Sequence, residues 1–332
     1  MHLPAAAQKE INTLYHGRKH IDLTIGILKD GKTETVHFGP DHTVCSGEPL
    51  IYAVGSICKP FTASLTAKLV SEGKLDLDAP LSQYISGLPD RFYPSLRSLA
   101  THTSGYTTQP YNLITTLPFF IRMNQEGGLF HTNPFRGYPD EELFLKILRD
   151  TRIKDRKYKF SYSNIGMSIL GYIAGKEAGS DFWTAMSSYI RDDLQLSNTF
   201  LGNIDLPGYD RKDQPCRCWQ WEKGDIIAPA GALNATAEDL LAFAAKNMDG
   251  SLPYTEMCHT VQADCDKDSY SGLAWRLDKT MPISWHGGNA GAFSAFLGFN
   301  RETKTAAAVA VNYGLVNAEQ IGMAILRNEA EL

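Results

Sequence analysis

The sequence predicts an α/β fold of the α+β kind, in which an antiparallel sheet is built from both chain termini and flanked by helices. Near the N-terminus, the runs IDLTIGIL and KTETVHFG are joined by KDG, and Asp30-Gly31 is a strong hairpin signal. Near the C-terminus, GAFSAFLGFN and TKTAAAVAVN form a second hairpin pattern. The middle of the chain is periodic at about 3.6 residues, which predicts helices inserted between the two sheet halves.

These patterns divide the chain into two predicted domains. We expect residues 1–73 and 251–332 to form the sheet domain, and residues 74–250 to form an inserted, mainly helical domain. A site at the seam between two domains is the usual place for chemistry, so the active site is expected there.

Helices are also expected at both ends of the sheet domain. Pro4 precedes a helix with Ile11, Leu14 and Tyr15 on one side. A second helix starts at Asn317, which resembles a reciprocal cap with Gln320, and its apolar stripe consists of Ile321, Ala324 and Ile325.

The predicted inserted helices are DEELFLKILRD, NIGMSILGYIAGKEAG, DFWTAMSSYIRDDL and TAEDLLAFAAKNM. In the last of these helices, Thr236 and Asp239 form a capping pair.

Composition excludes several classes of function. A net charge of −5 over 332 residues, with no block of Lys and Arg, argues against nucleic acid as a partner. No apolar run approaches the ~20 residues of a membrane span. The N-terminus has no secretory pattern, so a cytoplasmic location is expected. The six cysteines are too sparse for a disulfide scaffold, and their spacing lacks the C-x-x-C pairs of a structural zinc site, so we expect no metal. We expect no cofactor either.

Ser56 and Lys59 form an S-x-x-K pattern where a helix begins. The apolar residues that follow, at helical spacing, are Ile57, Phe61, Leu65 and Leu69, so Ser56 is expected in the first helical turn with Lys59 on the same face. A helix N-terminus favours an alkoxide or an oxyanion. Neutral Lys59 could take the serine proton, but its pKa near 10.4 must then fall by roughly three units, about 4 kcal/mol. Alone, the pattern also fits a capping serine beside a solvated lysine.

Tyr162-Ser163-Asn164 is expected in a loop just before a strongly amphipathic helix. A phenol placed over Ser56 and near Lys59 could carry protons, and the Asn164 amide could hold Lys59 and a substrate carbonyl. The alternative is an ordinary helix cap beside a packed tyrosine.

His286-Gly287-Gly288 lies in a predicted strand. The two glycines would let the strand approach a substrate closely. The backbone N–H of Asn289 could then complete an oxyanion hole with that of Ser56. The alternative is a strand start relieved by glycine.

In this order, the three segments resemble the signature of the penicillin-recognising serine enzymes, in their class C β-lactamase-like branch. This branch includes β-lactamases, DD-peptidases, D-aminopeptidases, esterases and acyltransferases. GKLDLDAPLSQYI, LRSLATHTSGY, LQLSNTFLG and PAGALNATAEDLLAFA also resemble family segments, so the likeness spans about residues 20–315. A G-x-S-x-G elbow is absent, which disfavours an α/β-hydrolase.

The resemblance implies a two-step acyl transfer on an ester, amide or D-amino-acid peptide. Ser56 attacks, Lys59 and Tyr162 handle protons, and the N–H groups of Ser56 and Asn289 hold the oxyanion. Which of Lys59 and Tyr162 is the base stays open. His286 occupies the position where many family members have a lysine. Histidine is mostly neutral at pH 7, whereas lysine is charged, so we expect weaker selection for carboxylate-bearing substrates such as β-lactams.

Other functions share the same residues. An acyltransferase would use an acceptor other than water, and a penicillin-binding sensor would deacylate slowly. His102 in THTSGY is interpreted as structural. Residues 106–140 and the pair Trp219 and Trp221 could line the pocket or simply pack between the domains.

Overall fold

The computed structural model describes residues 1–106, 121, 128 and 130–332. Its helices are α1 (Ala5–Tyr15), α2 (Cys58–Ser71), α3 (Leu96–Ala100), α4 (Glu141–Asp150), α5 (Asn164–Glu177), α6 (Phe182–Ser188), α7 (Ala237–Met248) and α8 (Ala318–Arg327). Short 3₁₀ helices cover Pro40–His42, Leu81–Gln83, Ala228–Ala230, Pro253–His259 and Glu329–Glu331, and a π-helical turn covers Tyr189–Asp193. Over these same residues, we find no helix with the length and apolar character that crossing a bilayer requires.

The strands are β1 (Leu23–Lys29), β2 (Lys32–Phe38), β3 (Val44–Cys45), β4 (Tyr52–Gly55), β5 (Phe200–Leu201), β6 (Gly208–Tyr209), β7 (Pro215–Cys216), β8 (Leu233–Ala235), β9 (Ala263–Asp264), β10 (Ser269–Ser271), β11 (Arg276–Asp278), β12 (Ile283–Ala290), β13 (Phe293–Asn300) and β14 (Thr305–Val311).

The main sheet combines strands from both ends of the chain. Its order is β3-β2-β1-β14-β13-β12-β11-β10-β9, and every neighbouring pair is antiparallel. β1 pairs directly with β14, Leu23 lying opposite Val311. Both predicted hairpins, β1–β2 and β13–β14, are present. The antiparallel sheet built from both termini is therefore confirmed.

The two faces of the sheet carry different side chains because strand residues alternate in direction. On one face, Ile25 of β1 and its neighbours form a core with residues of α1 and α8. On the other face, Ala306, Ala308 and Ala310 of β14 join the core that continues into the helical region. Gly26 also faces α7, where an added Cβ would lie 2.8 Å from Leu241 Cδ1. Small residues thus let α7 pack closely on the sheet.

The helical region is centred on α2 and α5. α5 packs against α2, α3, α6 and the Ala228–Ala230 turn. Short strands also occur here, since β5 and β8 extend β4 into a second, small sheet. α7 packs on β14 and β1 although it lies within the predicted insertion. The division at residues 73/74 and 250/251 stays a prediction.

The two predicted capping motifs have different outcomes. Thr236 Oγ1 accepts from the backbone N–H of Asp239 at 3.2 Å, so that cap is confirmed. Asn317 does sit at the N-cap of α8, but its side chain caps nothing. Its amide instead donates to the backbone carbonyl and carboxylate of Glu10 at 3.0 and 2.8 Å. The reciprocal cap with Gln320 was therefore wrong, because a contact with α1 takes up the Asn317 side chain.

Candidate active site

Ser56 lies in the tight turn that joins β4 to α2. The helix begins at Cys58, so Ser56 stands just before it and not in its first turn as expected. Ile57 N–H donates to Val54 O at 3.2 Å, and Lys59 N–H donates to Ser56 O at 3.0 Å. Ser56 is half-buried, at the end of the helix where unpaired N–H groups gather.

Two glycines let β12 cross against this turn. Gly55 has φ of +52°, and a Cβ there would collide with the carbonyl group of Asn289. A Cβ on Gly288 would collide in the same way with the carbonyl of Val54. Any side chain at either position would push the two backbones apart. The structure therefore brings Gly288 and Asn289 against the Ser56 turn.

Lys59 is fully buried and points at Ser56. Its Nζ lies 2.9 Å from Ser56 Oγ and donates to Ala230 O at 2.7 Å. No carboxylate among the described residues forms an ion pair with this ammonium. Burial lowers the pKa of Lys59 from 10.5 to about 7, because desolvation penalises the charged form. Burial thus accounts for the fall in pKa that Lys59 needs in order to accept the serine proton.

Tyr162 completes the cluster around Ser56. Lys59 Nζ lies 4.8 Å from the centroid of the Tyr162 ring. Burial raises the pKa of the Tyr162 phenol above its usual value, although a hydrogen bond with Ser56 and the charge of Arg276 both oppose that shift. At neutral pH the phenol is therefore protonated while Lys59 is partly neutral.

His102 holds the loop that carries Tyr162. Its carbonyl accepts from Ser161 N–H at 2.8 Å, and its Nδ1 accepts from Ser163 N–H at 3.1 Å. Because Nδ1 accepts, the neutral ring carries its proton on Nε2. From the sequence, His102 was interpreted as structural, and its segment THTSGY resembles a family segment. The hydrogen bond to Ser163 could not be predicted from that pattern.

Asn164 is the first residue of α5, and Ser163 caps the helix by accepting from Gly166 N–H at 2.9 Å. Within the described residues, the Asn164 amide makes no hydrogen bond with Lys59. The ammonium instead uses Ala230 O, a backbone partner that no side-chain pattern could reveal. The Asn164 side chain is half-buried.

His286 is buried at this site, with its ring centroid 6.2 Å from that of Tyr162. Its Nδ1 lies 2.6 Å from Gly287 O, which fixes the proton on Nδ1. Burial lowers the pKa of His286 to about 3, and the charges of Lys59 and Arg276 act in the same direction. The imidazole is therefore neutral across the physiological range.

Asn289 uses its side chain to fix the end of β12. Its Oδ1 accepts from Ser294 Oγ at 2.8 Å and from the backbone N–H of Leu315 at 3.1 Å. Gly287, by contrast, lies against α8, where an added Cβ would come within 2.6 Å of Glu319 Oε2. Of the two glycines, Gly288 is the one that contacts the Ser56 turn.

The predicted pocket wall is only partly described. Most of residues 107–129 lie outside the described residues, so their role stays a prediction. Trp221 is buried in the core, and Trp219 packs edge-on against Phe135 with ring centroids 5.9 Å apart. These contacts fit packing for Trp221 and leave the lining role of Trp219 a prediction.

Solved structures with this fold define its class. A class C beta lactamase from Rhodobacter sphaeroides superposes with a TM-score of 0.75 at 19% identity, covering 99% of this chain and 100% of that chain. D-alanine carboxypeptidase AmpC from Burkholderia cenocepacia gives a TM-score of 0.73 at 20% identity, covering 97% and 98%. The fold is therefore that of the class C beta-lactamases, with an S-x-x-K serine at its site.

The family model described as Beta-lactamase matches residues 15–331, so the chain belongs to the beta-lactamase family. A beta-lactamase of Providencia stuartii is 27% identical over 238 residues, which cover 68% of this chain and 55% of that protein. For the beta-lactamase of Pseudomonas fluorescens, identity is 25% over 241 residues, covering 68% and 59%. The matched part is thus less than two thirds of these relatives' length. The resemblance to the penicillin-recognising enzymes is confirmed.

Proposed function

We propose that this chain is a serine hydrolase that forms an acyl-enzyme on Ser56, with ester, amide or D-amino-acid peptide substrates. One observation carries the proposal: buried Lys59 lies 2.9 Å from Ser56 Oγ with its pKa lowered to about 7. An ordinary surface lysine would be almost fully charged at pH 7 and could accept no proton. The names of its relatives support the same class of reaction.

In the first step, Ser56 Oγ forms a bond to the substrate carbonyl carbon and passes its proton to neutral Lys59. Lys59 suits the role of base because its pKa lies near neutrality, where Brønsted behaviour favours proton transfer. Tyr162, whose phenol stays protonated, then suits the role of acid toward the departing oxygen or nitrogen. Two groups whose pKa values are pushed apart in this way divide the acid and base roles.

The developing oxyanion would bind between the backbone N–H groups of Ser56 and Asn289. The contact of Gly55 with the Asn289 backbone supports this placement.

Before the second step, the proton on Lys59 passes to the Tyr162 oxygen, so that Lys59 is neutral again. Water then adds to the acyl carbon as Lys59 accepts its proton, and Ser56 Oγ leaves the acyl carbon and takes that proton back from Lys59. Asn164, free of Lys59, is available to the substrate amide or carbonyl.

We propose neutral acyl substrates over carboxylate-bearing ones. His286 stands at the position where many family members have a permanent cation, and its pKa of about 3 leaves it uncharged at pH 7. An uncharged imidazole offers a substrate carboxylate no ion pair. β-Lactams, which carry a carboxylate, are therefore proposed to be poorer substrates than neutral esters.

We also propose a cytoplasmic location. All six cysteines are free thiols, which is the usual state in a reducing compartment.

The first experiment follows p-nitrophenol release from p-nitrophenyl acetate. Wild type, Ser56→Ala and a matched control, Ser71→Ala, are compared; Ser71 lies at the exposed far end of α2. Steady turnover that persists in Ser71→Ala and disappears in Ser56→Ala is expected. A burst of one equivalent followed by a stall would favour a sensor, or an acyltransferase without its acceptor. Equal rates in wild type and Ser56→Ala would refute the proposal.

A further inference from the structure

A second cluster of reactive side chains lies outside the Ser56 site. Nε2 of His131 lies 3.7 Å from Asp210 Oδ2 and 3.7 Å from Cys216 Sγ. All three ligand atoms are within 4.8 Å of one another. Among the described ranges, no other group of three or more His, Cys, Asp and Glu side chains comes together in this way.

The cluster is held in place by backbone contacts of a hairpin. Asp210 follows β6 and Cys216 ends β7, and these two strands pair with each other. Asp210 uses its other oxygen, Oδ1, to accept from the N–H groups of Lys212 and Gln214 at 2.8 and 2.9 Å. Oδ2 is thereby turned toward His131. Cys216 is buried, with only 4% of its surface exposed, whereas His131 reaches solvent.

We propose that His131, Asp210 and Cys216 bind one divalent transition-metal ion of the zinc type. Bonds of about 2.0 Å to nitrogen and oxygen and about 2.3 Å to sulfur separate neighbouring ligands by about 3.3–3.6 Å in a tetrahedral site. The two distances from His131 Nε2 exceed this range only slightly. A mixed set of imidazole, carboxylate and thiolate suits Zn²⁺ and not Mg²⁺ or Ca²⁺. Water would complete the tetrahedron.

Such an ion would link the segment that contains His131 to the β6–β7 hairpin, which lies almost 80 residues further along the chain. His131 follows Phe130, whose ring lies against Gly314, where an added Cβ would be 2.9 Å from Phe130 Cε1. The next residue, Leu315, donates its N–H to Asn289 Oδ1. The ion would therefore join the segment at Phe130 to the β6–β7 hairpin, beside residues that support the end of β12. We infer a stabilising role for it.

Sequence alone predicted no metal site, because its ligands do not form a short motif. Asp210 and Cys216 flank one hairpin, but His131 comes from a distant segment. Only the fold brings the three together.

Cobalt titration of the full chain tests the site, since Co²⁺ bound to a thiolate gives a near-ultraviolet charge-transfer band. Metal-free protein is prepared with a chelator and a thiol-free reductant. Wild type is compared with Cys216→Ser and with Cys218→Ser, a control thiol of equal burial whose Sγ instead faces Trp219 O. We expect one equivalent of Co²⁺ to produce the band in wild type and Cys218→Ser, and no band in Cys216→Ser.

A second variant keeps the proposal testable if Cys216→Ser fails to fold. His131→Gln removes an exposed ligand, and we expect it to bind Zn²⁺ at least about tenfold more weakly in competition with the cobalt protein. Zn²⁺ should also raise the melting temperature of wild type more than that of His131→Gln, because a ligand stabilises the state that binds it. No thiolate band in wild type, or equal Zn²⁺ affinity in His131→Gln, would overturn the proposal.

Discussion

The imidazole of His102 lies 4.6 Å from the phenol ring of Tyr162, centroid to centroid, with the two planes tilted by 33°. Nδ1 of the same imidazole accepts a hydrogen bond from the backbone N–H of Ser163, the residue after Tyr162. A single side chain thus contacts the proposed acid and fixes the loop that carries it. We therefore expect His102 to be a positioning residue, which would act on the reaction through Tyr162.

Replacing His102 should reduce turnover more than it reduces substrate binding. We expect His102→Leu to lower kcat on p-nitrophenyl acetate by about 10- to 100-fold, or about 1.4–2.8 kcal/mol, with KM changed by less than about threefold. His102→Asn should recover part of kcat, because its amide oxygen can accept from Ser163 N–H and Asn tolerates the φ of +58° found here. Equal kcat values for both variants, at equal folded fractions, would contradict a positioning role.

The pH dependence of hydrolysis should report Lys59. If neutral Lys59 is the base, kcat/KM on a neutral ester falls about tenfold per pH unit below an apparent pKa of about 7. His286 should add no limb between pH 5 and 8, because its pKa lies at about 3. The check is a pH–rate profile from pH 5 to 9, with His286→Gln as the control that should keep the same limb. A flat profile through pH 7 would remove Lys59 as the base.

The buried Lys59 should lower the free energy of unfolding at neutral pH. With a pKa of 10.5 unfolded and about 7 folded, the unfolded state binds more protons between these values, so stability rises with pH across that window. Lys59→Met should therefore raise the free energy of unfolding at pH 7 by about 2 kcal/mol, after the lost hydrogen bonds are allowed for.

Urea unfolding at pH 7 and pH 10 measures this difference. The advantage of Lys59→Met should shrink toward pH 10, where Lys59 is closer to neutral in both states. Lys68→Met, the same substitution at a half-exposed lysine of α2, serves as the control. A gap that widens with pH would show that the pKa of Lys59 is not lowered by folding.

A cation at residue 286 should shift substrate preference. We expect His286→Lys to raise the ratio of β-lactam to neutral-ester kcat/KM by at least about tenfold, since 1.4 kcal/mol of new attraction to a carboxylate suffices. His286→Gln, which adds no charge, should leave that ratio within about threefold of wild type. The hypothesis fails if the lysine variant behaves like the glutamine variant.

Much of the fold could be read from local patterns. The Asp30-Gly31 turn adopts the positive φ values, +50° and +72°, that its residues favour, and Thr236 caps α7 as predicted. Tertiary contacts decided the rest. Asn317 turned to Glu10 of α1, which no local pattern encodes.

The candidate site divides in the same way. The residue types and their spacing led to the prediction of one site with Ser56, Lys59, Tyr162 and the two glycines of β12. The structure brings Ser56, Lys59, Tyr162 and Gly288 together, and their catalytic roles stay a prediction. The partner of Lys59 is the backbone carbonyl of Ala230, which any residue could provide, and the burial that lowers the pKa of Lys59 is a property of the whole core.

From the apolar periodicity, Ser56 was predicted in the first turn of α2, but it precedes the helix, which begins at Cys58. Apart from Gly55, no residue of the β4–α2 turn indicates in the sequence where the helix begins.

The pairing of β1 with β14 has a consequence for the order of folding. β1 is synthesised long before β14, since Leu23 and its partner Val311 are separated by most of the sequence described here. A contact over so long a loop forms late, because its closure entropy must be met before the strands gain from pairing. The β1–β2 hairpin can form early, but one edge of it stays open until translation reaches β14. During synthesis, that open edge could pair with another chain, so a chaperone that covers it would limit misassociation.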